Sequence, residues 1–360
     1  MAEAAKHERL DTLQAGRAFA ALGVVLFHLN VAIFGKAKYF PEELFPPFRT
    51  GHIGVEYFFV LSGFLMTWLY AGRTGDSAAA GRFLYKRALR VYPPYWVALF
   101  AVIPVFFLVP GFGTGSETTP YYLIASIFLL PTPEMPILNV AWTLQFEMLF
   151  YLGFAALLAW PKLVRPIVAI WAMIAIARHF LPMPPFPLSF VTDPWILLFL
   201  YGVGAAWLVR RGASRPWLWL AAGTLVFVAS AWADEFSEVS RNWVRNTGGL
   251  GAAMMMIGLV TAERAGLIRV PRWLVYFGDM SYALYLIHFT VLSATVKLMF
   301  KLGIATALPR PVVGLLLVAA CILAAAAMHE LVEKRLMRFR PKRSGPNLGV
   351  GEAADPARTP

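Results

Sequence analysis

Residues 13–34 read LQAGRAFAALGVVLFHLNVAIF, an apolar run interrupted by one charge, Arg17, and one imidazole, His28. At ~1.5 Å of rise per residue, such a run is long enough to cross ~30 Å of hydrocarbon as a helix. Lys6 and Arg9 precede it, but the run is too long for a signal-peptide core and lacks a clear small-residue cleavage site. It reads as a retained first transmembrane helix.

The rest of the chain repeats the pattern. Of 360 residues, 59% are hydrophobic and 14% charged, too little charge to clothe a soluble protein of this size. The net charge of +12 lies in short basic clusters between apolar runs, which suits membrane topology better than a nucleic-acid-binding patch. Cys321 is the only cysteine, which excludes an internal disulfide and a cysteine-based metal cluster.

Runs long enough to span fall at about 12–33, 52–72, 91–110, 140–160, 163–181, 194–210, 216–233, 243–262, 274–297 and 311–335. The piece at 120–131 ends at Pro131 and Pro133 and suits an interfacial or re-entrant segment. With both termini inside, the inner loops and ends carry 22 Lys and Arg against 9 outside. Making 120–131 a span would reverse every later loop, including the basic carboxyl tail. The expected fold is therefore an all-α polytopic membrane protein with about ten transmembrane helices and cytoplasmic termini. Residues 1–337 form one integral-membrane domain, and 338–360, rich in Pro, Gly, Ala and Arg, form a disordered cytoplasmic tail.

Ionisable groups inside spans are expensive and mark function by default. Arg17 and His28, eleven residues apart, share one side of the first helix with ~16 Å between them along the axis. A snorkelling Arg17 is the plain alternative. Glu147, in AWTLQFEMLFY, lies ~10 Å in from the outer end of its helix, the depth of His28. A carboxylate beside an imidazole is standard general-base equipment. His288 in SYALYLIHF also reaches the outer half, either as a structural group or as part of the site. Glu56 reads as interfacial, and Asp279, His329 and Glu330 lie near inner helix ends without an assigned role. In KRALRVYPPYW, Arg87 and Arg90 sit one turn apart at the cytoplasmic mouth of a helix, where two guanidiniums can hold a phosphate or pyrophosphate, or simply supply positive-inside charge. Ser62 and Gly63 are small mid-helix residues that permit close approach of a helix or a ligand arm.

In order, LQAGRAFAALGVVLFH, GVEYFFVLSGF, RFLYKRALRVYPPYW, AWTLQFEMLFY and GDMSYALYLIHF resemble the acyltransferase 3 family of bacterial membrane O-acyltransferases, in particular its exopolysaccharide O-acetyltransferase branch. The match runs from Leu13 to about Leu336. The resemblance implies transfer of an acyl group, usually acetyl, from cytoplasmic acyl-CoA to a hydroxyl of a lipid-linked or surface carbohydrate at the bacterial inner membrane. It implies His28 as catalytic base with Glu147 as partner carboxylate. Arg17, Arg87 and Arg90 become candidates for gripping CoA, and Ser62, Tyr95, Trp142 and His288 candidates for lining the site. The expected partners are acyl-CoA (acetyl-CoA first), a carbohydrate acceptor, the lipid bilayer and other polysaccharide-biosynthesis proteins, with no nucleic acid, no metal and no tightly bound cofactor. Glu56 replaces the aspartate more usual after GV, and Gly16 stands where a leucine commonly precedes the arginine. A transporter or flippase of a lipid-linked saccharide is the alternative, since it too would place Arg, His and Glu within helices.

Overall fold

The first helix, α1 (Asp11–His28), continues through a π-helical turn at Leu29–Phe34. Its opening N–H groups have no partner within the helix. The Glu263 carboxylate accepts from the Asp11 amide at 2.7 Å, the Thr12 amide at 3.1 Å and the Thr12 hydroxyl at 2.5 Å. A carboxylate there also complements the positive end of the helix dipole. The computed structural model describes residues 9–338 apart from 71 and 110–112. The tail expected from 338 onward, like Lys6, falls almost wholly outside the described residues.

After α1 come α2 (Gly54–Tyr70), α3 (Ser77–Leu108), the short α4 (Pro120–Phe128), α5 (Trp142–Ala159), α6 (Pro161–Ala177), α7 (Trp195–Arg210) and α8 (Pro216–Phe236). Then follow α9 (Arg241–Arg264), α10 (Arg272–Asp279), α11 (Ser281–Lys301) and α12 (Arg310–Met328). No strand occurs among the described residues, and the protein is an all-α, multi-pass membrane protein.

Each of the ten expected spans is helical, and eight helices among the described residues are long and apolar enough to cross a membrane. The two that fall short are α6, at 17 residues, and α9, which carries Arg241, Arg245, Glu263 and Arg264. The span expected at 274–297 is two helices that meet at Met280, with α10 held to the start of α1 by Arg9 and Asp279 at 2.7 Å.

Helix α3 begins fourteen residues before its expected start and runs for 32 residues through Pro93 and Pro94. Asp76 caps it, its side chain accepting from the Ala79 amide at 2.8 Å. At ~48 Å it is longer than the hydrocarbon layer. Its aromatic residues explain the adjoining short helix. The carbonyls at the end of α4 run short of amides, that of Ser126 having only a long bond of 3.3 Å from Leu129, and a membrane interior supplies no water. Tyr95 donates to the carbonyl of Ser126 at 2.6 Å, Trp96 to Ile127 at 2.9 Å and Tyr92 to Phe128 at 2.9 Å. Gln145 of α5 donates to the Leu130 carbonyl at 2.7 Å. The YPPYW segment is thus a ladder of donors for the end of α4.

The centre of the bundle is built on close backbone contact. A Cβ on Gly63 would lie 1.9 Å from the Phe199 carbonyl oxygen, and one on Gly202 would lie 1.9 Å from that of Val60. Glycine on both sides lets α2 and α7 touch along their backbones. Outward-facing Leu152, Leu225 and Leu315 leave an apolar exterior, as a lipid-embedded surface requires.

Candidate active site

Two neighbouring cavities hold the ionisable residues. The first is lined by Arg17 of α1, Ser62 of α2, Arg87 and Arg90 of α3, Glu147 and Tyr151 of α5, and Ser281, Tyr282 and Tyr285 of α11. Arg87 and Arg90 share a face because they are three residues apart on a helix. The Arg87 guanidinium sits 5.5 Å from the Tyr151 ring and 5.9 Å from the Phe83 ring, where the aromatic faces favour a cation. Arg17 is buried and makes a long hydrogen bond of 3.3 Å to the Gln14 side chain. None of the three arginines forms an ion pair among the described residues. Among the described residues Glu147 is the one carboxylate lining this cavity, and it accepts from the Ser62 hydroxyl at 3.0 Å and from the Tyr151 hydroxyl. Three guanidiniums against one carboxylate leave a cavity with excess positive charge in a low-dielectric setting, which suits a polyanion.

The second cavity is lined by His28, His52, Asn139, Trp142 and Tyr285 among others. Tyr285 and Val55 line both cavities and form the partition between them. The Tyr285 hydroxyl is held by the Thr143 hydroxyl at 2.9 Å. The His28 ring is fixed by three contacts. Its Nδ1 lies 3.0 Å from the Val24 carbonyl oxygen and 3.1 Å from Nε2 of His288, and Phe289 stands edge-on at 5.3 Å.

Arg17, Arg87, Arg90, Ser62 and Glu147 therefore meet in one cavity, and His28 and Trp142 line the other, whereas His288 lines neither and is wholly buried against His28. Two further placements differ from expectation. Glu147 shares no hydrogen bond with His28 and lies on the arginine side of the partition. A depth counted from residue numbers sets only one coordinate, and the packing of α5 beside α3 places Glu147 with Arg87. Tyr95 lines none of these cavities, being wholly buried with its hydroxyl bonded to Ser126.

Glu56 is 1% exposed rather than interfacial, because α7 and α9 pack over α2, and one of its carboxyl oxygens has no hydrogen-bond partner. His329, expected near water, is buried against Glu333 at 2.5 Å. A tyrosine hydroxyl explains Gly16, since a Cβ there would lie 1.8 Å from that of Tyr57.

Three residues were not anticipated. Tyr151 stands one helical turn after Glu147, a spacing that could have flagged it. Tyr285 lies in SYALYLIHF but is indistinguishable there from a packing aromatic. His52 bonds Asp234 at 2.8 Å across more than 180 positions of sequence, a pairing with no local signal.

The model of the acyltransferase domain of the acyltransferase 3 family matches residues 10–329. The exopolysaccharide production protein ExoZ of Rhizobium meliloti (strain 1021) is 31% identical over 81% of this chain and 91% of its own length. The acyltransferase MdmB of Streptomyces mycarofaciens is 29% identical over 96% of this chain and 97% of its own. Nodulation protein 10 of Rhizobium leguminosarum bv. viciae is 27% identical over 68% of this chain and 73% of its own. No solved structure matches the chain significantly.

Proposed function

This chain belongs to the acyltransferase 3 family of membrane O-acyltransferases, and from that premise we propose that it moves an acyl group, acetyl first, from cytoplasmic acyl-CoA to a hydroxyl of an exopolysaccharide or its lipid-linked precursor. The similarity to ExoZ, a protein of exopolysaccharide production, supports the carbohydrate acceptor. The membrane is the bacterial inner membrane, with both termini of the chain in the cytoplasm.

One observation carries the donor: Arg17, Arg87 and Arg90 line a single cavity without an ion-pair partner among the described residues. The phosphates of CoA are the anions they would bind, entering at the cytoplasmic end of α3. The pantetheine arm then passes the Tyr285 partition and brings the thioester to His28. Glu147 offsets part of the arginine charge and holds Ser62 and Tyr151 in place.

The acceptor hydroxyl enters the chamber of His28, Asn139 and Trp142. Its hydrogen passes to the His28 ring as its oxygen bonds to the thioester carbonyl carbon. Collapse of the tetrahedral adduct breaks the carbon–sulfur bond, and the proton returns from His28 to the CoA thiolate. The products are the sugar ester and CoA thiol, with His28 neutral again.

Purified protein supplied with acetyl-labelled CoA and glycan tests this reading. His28→Ala should lower transfer by about 10²–10⁴-fold, the usual contribution of a general base. The lipid-facing Leu152→Ala should transfer normally. Arg87→Ala or Arg90→Ala should raise KM for acyl-CoA by about 10-fold or more, as loss of a charge-assisted hydrogen bond does. Saccharide translocation without label transfer to any acceptor would replace this reading with the transporter.

A further inference from the structure

His288 is wholly buried, and its two ring nitrogens have different partners. Nδ1 lies 2.7 Å from the Tyr285 carbonyl oxygen and 3.2 Å from that of Leu284. A carbonyl oxygen only accepts, so Nδ1 of His288 carries the hydrogen and Nε2 of the neutral ring presents a lone pair. That lone pair faces Nδ1 of His28 at 3.1 Å. The His28 Nδ1 also lies 3.0 Å from the Val24 carbonyl oxygen, another group that only accepts. Both neighbours of His28 Nδ1 therefore demand a donor, and a single N–H shared between them meets the demand. The remaining nitrogen of His28, Nε2, is left without a hydrogen.

We propose that His288 is a positioning residue that, together with the Val24 carbonyl, fixes the tautomer of His28, so that Nε2 is the nitrogen that receives the acceptor's proton. The assignment rests on the reading of His28 as the base. The chain of hydrogen bonds runs from His28 through His288 to the backbone of α11, so the base is aimed by a helix other than its own. It also gives the buried His288 a polar role without contact with either substrate. When His28 takes the proton at Nε2, its Nδ1–H remains bonded to the same two acceptors, and no group needs to turn during the reaction. Preorganisation of this kind avoids reorganisation at the moment of proton transfer. Glu147, on the far side of the Tyr285 partition, is not needed for it.

The full-length protein in lipid nanodiscs, labelled with ¹⁵N-histidine, gives a direct test. The chain holds six histidines, so His28 is assigned by the signals lost in His28→Ala. The expected spectrum has hydrogen on Nδ1 and none on Nε2 of His28. His288→Leu, which removes the acceptor, should lower kcat by about 10- to 100-fold with KM for acyl-CoA unchanged, and should let hydrogen populate Nε2; this is part of what a general base contributes. His288→Gln, whose side-chain amide can present an oxygen near the position of the ring Nε2, should recover most of the lost kcat and the Nδ1–H spectrum.

Hydrogen on Nε2 of His28 in the unsubstituted protein would overturn the proposal. So would His288→Leu with unaltered kcat and spectrum, or His288→Gln as slow as His288→Leu despite correct folding. His28→Ala that still transfers at the original rate would instead overturn the base reading, while a retained Nδ1–H signal in the unsubstituted protein would show that the pairing itself exists.

Discussion

Tyr95 shows how one side chain in a membrane protein can be decided by the backbone of a neighbour. Its hydroxyl donates at 2.6 Å to the Ser126 carbonyl, whose bond from the Leu129 amide is long, at 3.3 Å. Tyr95→Phe should lower thermal stability by about 0.5–1.5 kcal/mol, the net worth of one buried hydrogen bond, with kcat per folded molecule unchanged. Glu147 carries the opposite expectation. Glu147→Gln keeps an acceptor for Ser62 and Tyr151 but removes the negative charge among three guanidiniums. CoA should then bind about 10-fold tighter in an equilibrium titration, a shift of the size expected for a charge removed at close range. If Glu147 oriented His28 instead, the substitution would reduce kcat and leave CoA affinity as it was.

Among elements, the crossing of α2 and α7 sets the shape of the arginine cavity, because Ser62 lines it while the next residue, Gly63, lies against the Phe199 backbone. Gly63→Ala places a methyl group where the carbonyl oxygen of Phe199 now sits. The helices must separate, at a cost of about 1–3 kcal/mol for overpacking. A lower melting temperature in detergent should be accompanied by a raised KM for acyl-CoA, since α2 carries Ser62 with it. Gly204, on the same α7 but with open space around it, is the control, and Gly204→Ala should be close to neutral.

For the whole molecule, the end of the bundle near His28 is closed by polar links between distant segments. The buried Asn30 accepts from the amides of Leu44 and Phe45 at 2.9 and 3.0 Å and donates to Glu43 at 2.9 Å. Glu43 is paired with Arg49 at 2.6 Å, Arg49 also with Glu235, and Glu42 with Arg310 at 3.0 Å. The Arg49 guanidinium holds the Glu43 carboxyl below its ordinary range, helped by the Asn30 amide. A carboxyl depressed in the folded state contributes stability above its unfolded value of about 4.3 and loses it as pH falls through the folded value. The melting temperature should therefore decline through that acidic window, and less steeply in Glu43→Gln, which starts lower. The pair is partly exposed, so salt should weaken the difference.

Much of this architecture is legible in the one-dimensional chain, for definite reasons. The length of the apolar run at 13–34 and of its successors marks helices because lipid forbids unpaired backbone. The separation of Arg87 from Arg90 places both on one face because the α-helical period is fixed. Tertiary packing decided what lies across a helix from what. Depth along a helix is a property of residue number, whereas the direction a side chain faces depends on which neighbours pack beside it. Counting along the helices gave His28 and Glu147 one depth, yet packing set one against His288 and the other among the arginines. The same packing turned Tyr95 from a candidate site residue into the cap of a neighbouring helix.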